Sequence, residues 1–263
     1  MTFARKTSIS WVEAEKISLR GYAIEDLIGN LSWGEAVYLL LLGELPPKNF
    51  AKLLEAILIS VIDHGIRPPS TIAAVTVANT GASLNSSVAA GILAINEYHG
   101  GAIENAMKAI SEAVYWQKSE NLSAVQSAEK AVQHYKESGV RISGFGHRFH
   151  AADPRTARLF ELAKELEVAG KFVEQAEAIE KVLSEKSGKS LPINADGAIA
   201  ALLCEMKFPP KIANGIFMIA RVAGLVAHVV EEQENNPPMR TVDVENYEYN
   251  VETGKKLSTD EPG

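Results

Sequence analysis

The segment Ser143-Gly144-Phe145-Gly146-His147-Arg148, continuing through His150 to Asp153-Pro154-Arg155, gathers two glycines, two imidazoles and two guanidiniums within thirteen residues. Glycines at 144 and 146 let a backbone approach a ligand closely or take positive φ. Asp153 followed by Pro154 predicts a helix start, with Asp as cap and Pro at the first helical position. Arg155 then falls in the first turn, beside unpaired N–H groups that already favour anions. A Gly-rich turn before a surface helix would use the same residues without any chemistry.

Arg221 is the strongest single-residue signal. It interrupts the apolar stretch from Ile212 to Ala227, and the residues three and four positions away are Phe217, Met218, Gly224 and Leu225. An unpaired guanidinium in such surroundings is costly. Its partner is therefore either tertiary or a ligand carboxylate held bidentately. Asp196, at the mouth of the apolar helix Ala198–Met206, reads as a helix cap or as a general base whose pKa is adjusted by partial burial. His64, in Asp63-His64-Gly65, closes an apolar helix before Pro68-Pro69. It either interacts with the helix dipole or offers a positioned neutral imidazole. His99-Gly100-Gly101 reads as a structural turn, His134 as solvated, and His228 as a satisfied core histidine.

Two or three histidines, one aspartate and several arginines suit acid/base work at a carbon next to a carbonyl, on a substrate bearing several carboxylates. No His-x-x-x-His spacing predicts a metal, and the Gly-x-Gly lacks the context of a nucleotide phosphate loop. The single cysteine, Cys204, reads as a buried inert thiol and rules out an internal disulfide framework. A net charge of −7 argues against a nucleic-acid surface or a basic membrane anchor. The longest apolar stretch, 215–230, contains Arg221 and His228 and is short for a membrane span. With no signal peptide at the N-terminus, the expected location is cytoplasmic.

With 263 residues, 46% of them hydrophobic, the chain has ample material for one large core. Residues 7–22 alternate like a short hairpin. From Ile24 onward the pattern is helical. Ser32-Trp33-Gly34-Glu35 is a capping-box signature ahead of 36–42. Further helices are expected at about 49–63, from 69, and at 85–98, 101–117, 122–138, 154–168, 172–187, 196–206 and 209–233. The 85–98 helix is rich in Ser, Ala and Gly, so it is expected at the centre of the core. Periodicity ends at Glu234, and 234–263 reads as an extended arm, mobile after Lys255. The fold class is an all-α multi-helix bundle.

Taken in order, these motifs resemble the citrate synthase superfamily. The resemblance rests on Arg20-Gly21-Tyr22, on Ala36–Pro46, on Asp63-His64-Gly65, and on Gly144–Arg148 with Asp153-Pro154-Arg155. Asn194-Ala195-Asp196-Gly197 and Ala220–Gly224 complete it, so that it covers roughly 8–249. The short form is similar to citryl-CoA lyase and to the C-terminal citryl-CoA lyase module of ATP-citrate lyase. A substrate-binding histidine of full synthases has no counterpart in Pro47–Ile62.

The resemblance implies a small lid-like subdomain at about 144–208 and an arm that reaches a partner in a dimer-based homo-oligomer. It implies cleavage of citryl-CoA to acetyl-CoA and oxaloacetate, with no permanently bound cofactor. Condensation by a citrate or 2-methylcitrate synthase is the alternative, and a non-catalytic metabolite-binding paralogue the third reading. By the same resemblance His64 binds the thioester oxygen, His147 the citryl hydroxyl, and Asp196 exchanges the proton on the acetyl carbon. Arg155, Arg221 and Arg240 bind carboxylates, Arg240 in the partner's site. Gly144, Phe145, Gly146 and Arg148, with Leu191, Pro192, Ile193 and Asn194, approach CoA.

Overall fold

The computed structural model describes residues 6–146 and 153–240. The chain opens with a three-stranded antiparallel sheet, β1 (Ser10–Glu13), β2 (Lys16–Leu19) and β3 (Tyr22–Ala23), in which Val12 pairs with Ile17 and Leu19 with Tyr22. The hairpin was legible in the alternation, and the short helix α1 (Ile24–Leu27) begins where the helical pattern was expected to; the third strand was not legible.

Helix α2 (Trp33–Leu42) starts on the expected capping box: Ser32 accepts from the Glu35 amide while Glu35 accepts from the Ser32 amide. It ends on Gly43 at φ 86°, a conformation that glycine adopts without strain. Helix α3 (Lys48–Ser60) stops three residues short of the expected end. Residues 61–67 form a loop instead, and Pro68-Pro69 fixes the start of α4 (Pro69–Asn79).

Helix α5 (Leu84–Leu93) corrects two expectations. It ends before a tight turn in which Asn96 and His99 exchange backbone hydrogen bonds and Gly100 sits at φ 80°. It is also not central, since only Ser87 and Gly91 are buried. Small residues permit close approach on one face, where a Cβ on Gly91 would lie 2.9 Å from both Leu225 Cδ1 and the Ser70 carbonyl. The opposite face carries Leu93, which is exposed.

The core is built by α6 (Ala102–Ser119), α7 (Ala124–Glu137), α8 (Pro154–Glu165), α9 (Lys171–Ser187) and α10 (Ala195–Glu205), with buried residues of α2 and α3 in the same cluster. Helix α10 is apolar all round and correspondingly buried, with Ala198 to Leu203 fully enclosed. A 3-10 turn (Pro210–Ile212) leads into α11 (Ala213–Asn235), which packs against α3, α4, α5 and α6. The unbroken helical stretch 210–235 exceeds the apolar run read from sequence and is long and apolar enough, by length and composition, to cross a membrane.

Beyond α11, residues 236–240 fold back on α4. The Met239 amide donates to the Asn79 carbonyl at 3.0 Å. The expected arm beyond 240 lies outside the described residues.

Candidate active site

A cavity of about 600 Å³ opens between two parts of the chain. Arg155, Asn194 and Asp196 from the 153–196 region line it together with His64, His99 and Arg221. Of the residues singled out for catalysis or carboxylate binding, His64, Asp196, Arg155 and Arg221 thus meet in one place. His147 and Arg148 lie outside the described residues.

Arg221 is 2% exposed. Its Nε donates to the Val61 carbonyl at 3.1 Å, and its guanidinium lies over the Phe217 ring, 4.6 Å from the centroid. Among the described residues its Nη1 has no hydrogen-bond partner. Burial lowers its pKa, with Arg155 adding to the effect, while Asp63 and Asp196 oppose it. A buried, unpaired donor on a cavity-lining arginine is a group prepared for an anionic ligand.

Asp153 caps α8 as expected, accepting from the Arg155 amide. It also grips the Arg155 side chain, with Nε donating to Oδ1 at 3.0 Å and Nη2 to Oδ2 at 2.8 Å. Oδ2 further accepts from the Ala195 amide at 3.2 Å. Burial works against the Asp153 charge, yet Arg155 and these amides outweigh it and hold the carboxyl below its ordinary range.

Asp196 lies in the first turn of α10, whose cap is Asn194 rather than Asp196: Asn194 Oδ1 accepts from the Gly197 amide at 3.2 Å. This removes the capping role weighed for Asp196 and leaves its carboxyl to the cavity. Burial pushes the Asp196 pKa up; Arg155 and Arg221 pull it down, and Asp153 pushes it further up. The balance is upward, which suits a carboxyl that must carry and release a proton.

His99 is the residue that sequence reasoning missed. The glycines after it do make a turn, but the imidazole lines the cavity and its Nε2 sits 2.8 Å from the Oγ of fully buried Ser70. Its ring also packs edge-on against Phe217. Burial first, then Arg221 and His64, lowers its pKa, so the ring is neutral near pH 7. The only local signal was the histidine itself, because Ser70 is 29 residues away. His64 stands exposed on the same cavity wall.

The two expected CoA segments do meet. Phe145 and Ile193 form an isolated antiparallel bridge, the Gly146 amide donates to the Pro192 carbonyl at 2.7 Å, and Asn194 donates to the Gly144 carbonyl at 3.0 Å. Gly144 has a packing reason that the sequence did not reveal: a Cβ there would lie 2.7 Å from Gly197 Cα. Phe145 and Leu191 also line a second cavity of about 340 Å³, with Tyr135, Lys136, Arg141 and Lys186. Those three cations were not singled out, although Arg141 lies two residues before the Gly-rich motif.

Arg240 is not among the residues lining the first cavity. Its Nε donates to Glu232 at 2.6 Å and its amide to Asn79 Oδ1 at 2.9 Å.

Residues 46–242 match the family model described as citrate synthase, C-terminal domain. The chain belongs to the citrate synthase family. It is 31% identical over 203 residues to citrate synthase of Haloferax volcanii, covering 75% of this chain and 51% of that protein. The chain thus spans about half the length of that relative, and 37% of an Arabidopsis thaliana ATP-citrate synthase beta chain to which it is 27% identical over 87% of its own length. The structure of citryl-CoA lyase from Hydrogenobacter thermophilus superposes with a TM-score of 0.88 at 43% identity, covering 96% of this chain and 97% of that one. All of these matches agree with the expected fold class.

Proposed function

We propose that this chain cleaves citryl-CoA to acetyl-CoA and oxaloacetate. The observation that carries the reading is the convergence of Asp196 with Arg155 and Arg221 on one cavity, where the Arg221 Nη1 lacks a partner among the described residues. Two guanidiniums suit a tricarboxylic skeleton, and a carboxyl of raised pKa suits protonation of carbon. The similarity to a citryl-CoA lyase over nearly the full length of both chains supports the same choice.

In this reading a base removes the citryl hydroxyl proton, a role that the family resemblance gives to His147. The C–C bond then breaks, the hydroxyl carbon becomes the ketone of oxaloacetate, and the electron pair is left as the enolate of acetyl-CoA. Asp196 delivers its proton to the enolate carbon. His64 was expected at the thioester oxygen; we assign that oxygen to His99. With Ser70 donating to Nε2, Nδ1 keeps a proton to stabilise the developing charge. His64 then serves the oxaloacetate half. The 340 Å³ cavity, lined by apolar residues and three cations, suits the nucleotide end of CoA, and we assign the lid-like subdomain to about 144–208.

Citrate synthase activity is the second reading, favoured by the identity to the Haloferax volcanii enzyme. Two assays separate them. Citryl-CoA is supplied and oxaloacetate followed with a coupled dehydrogenase; acetyl-CoA plus oxaloacetate is then supplied and free thiol followed. Rapid oxaloacetate release without thiol release supports the lyase, and thiol release supports the synthase. We further propose a homodimer as the working unit. The three-helix layer of α4, α5 and α11 leaves Ile72, Leu93 and Val222 exposed for a second copy, and Arg240 sits beside that layer.

A further inference from the structure

Arg221, Gly224 and His228 lie at i, i+3 and i+7 of α11 and so share one face of that helix. Each meets a successive residue of the loop that carries His64. Arg221 Nε donates to the Val61 carbonyl at 3.1 Å. Gly224 admits the Ile62 carbonyl, whose oxygen would lie 2.5 Å from a Cβ at that position. His228 Nε2 sits 2.9 Å from Asp63 Oδ1. Asp63 in turn accepts from the Gly65 amide through Oδ2 at 2.8 Å.

We infer that this face of α11 is a rail that sets the position of His64, and that His228 is a positioning residue for the reaction although it does not line the cavity. The inference rests on the reading of the cavity as the citryl-CoA site. It gives the loop at 61–65 a reason to leave the helix that α3 would otherwise continue. The residues that hold the loop and the residue that holds a substrate carboxylate are then parts of one rigid helix. Arg221 belongs to both sets, so the spacing between His64 and the carboxylate anchor is fixed by α11 itself.

His228 is 15% exposed at its side chain, and the other acid facing it is Glu231, at 4.0 Å from Nδ1. The Asp63 contact is therefore its main polar tie. Burial opposes the charge on Asp63, but the amides of Gly65 and His64 and the His228 ring outweigh it, so the carboxyl titrates below its ordinary range. An ionised Asp63 can accept from the loop amides and from α11 at once.

The test uses the full chain and four variants: His228→Ala, His228→Gln, Gly224→Ala and His64→Ala. Hydrogen exchange of a peptide spanning 61–67 is read by mass spectrometry. Faster exchange is expected in His228→Ala and Gly224→Ala, with His228→Gln restoring protection because its amide can still donate to Asp63. Unchanged exchange in both disrupting variants overturns the rail.

Citryl-CoA cleavage is then measured. His228→Ala is expected to lose about 10- to 100-fold in kcat/KM, the scale of a misplaced active-site group. Combined with His64→Ala it should add little, because both changes remove the same function. Losses that multiply in the double variant overturn the positioning role. A wild-type chain that does not cleave citryl-CoA, yet shows the expected exchange pattern, overturns the proposed activity and leaves the rail standing.

Discussion

Asp153 holds Arg155 through both carboxylate oxygens, at 3.0 and 2.8 Å, and the same carboxylate accepts from the amide of Ala195, the residue before Asp196. One buried side chain thus ties the proposed carboxylate clamp to the turn that presents the proposed carbon acid. Thr156 reinforces this arrangement from the next position along α8, its hydroxyl donating to the Ile193 carbonyl at 3.1 Å.

Asp153→Asn should therefore weaken both stability and turnover. The amide offers one acceptor oxygen where the carboxylate offers two, so the charged, two-oxygen grip on Arg155 is lost. A destabilisation of about 1–3 kcal/mol is expected, because Arg155 keeps partial access to solvent. The sign with pH follows from the lowered Asp153 pKa. The stabilisation is complete above the ordinary aspartate value of about 3.9 and is lost as pH falls through the lower folded value. Urea unfolding of both proteins at pH 7 and under acid conditions checks this. A stability gap that does not shrink in acid would count against it.

Much of this architecture was legible because it is local. Ser32 and Glu35 cap their own helix, Asp153-Pro154 opens its own helix, and an arginine inside an apolar run is conspicuous wherever it lies. The features that escaped are tertiary. His99 looked like a turn residue because its partner Ser70 belongs to another helix. The small side chains of α5 signal close approach, but not which face is approached or whether the other face is covered. The packing reason for Gly144 is its close approach to Gly197, which lies 53 positions further along the chain.

Arg221→Leu should leave the fold intact. Among the described residues the buried guanidinium has no carboxylate partner within hydrogen-bond reach, so the relief of a desolvated charge offsets the lost bond to the Val61 carbonyl. Unfolding midpoints should match or exceed wild type, while affinity for oxaloacetate or citrate falls by about 100-fold or more, as expected for a lost charge-assisted pair. Arg221→Lys should recover little, since an ammonium cannot reproduce the planar fork that meets Val61 and a ligand together. Calorimetric titration with oxaloacetate decides the matter. Wild-type affinity in the leucine variant would remove the ligand role.

Glu205 provides a prediction that separates stability from activity. At the end of α10 its Oε1 accepts from the amides of Gly170, Phe172 and Val173 at 2.9, 2.8 and 3.1 Å, capping the start of α9. Glu205→Ala should cost about 1–2 kcal/mol, and Glu205→Gln less, because one acceptor survives. Neither should change kcat/KM at temperatures where the protein stays folded. Thermal melts alongside cleavage assays test this; a large kinetic defect in the glutamine variant would contradict it.

Asp196→Asn carries the sharpest expectation, because stability and turnover should move in opposite directions. Losing the proton that reaches carbon should reduce cleavage by about 10³-fold or more. Burial raises the folded pKa of this carboxyl, so the native state binds its proton more tightly than the unfolded chain does. Wild-type stability therefore declines as pH rises from the unfolded value of about 3.9 through the raised folded value. Asparagine has no proton to lose and escapes that decline. The variant should unfold at a higher temperature than wild type at pH 7, and the gap should close below about pH 4, where both side chains are neutral. Melting curves across pH 4–8 measure it. A variant less stable than wild type at pH 7, or a gap independent of pH, would show that Asp196 is not held as a reluctant anion, and the case for it as the carbon acid would lose its physical basis.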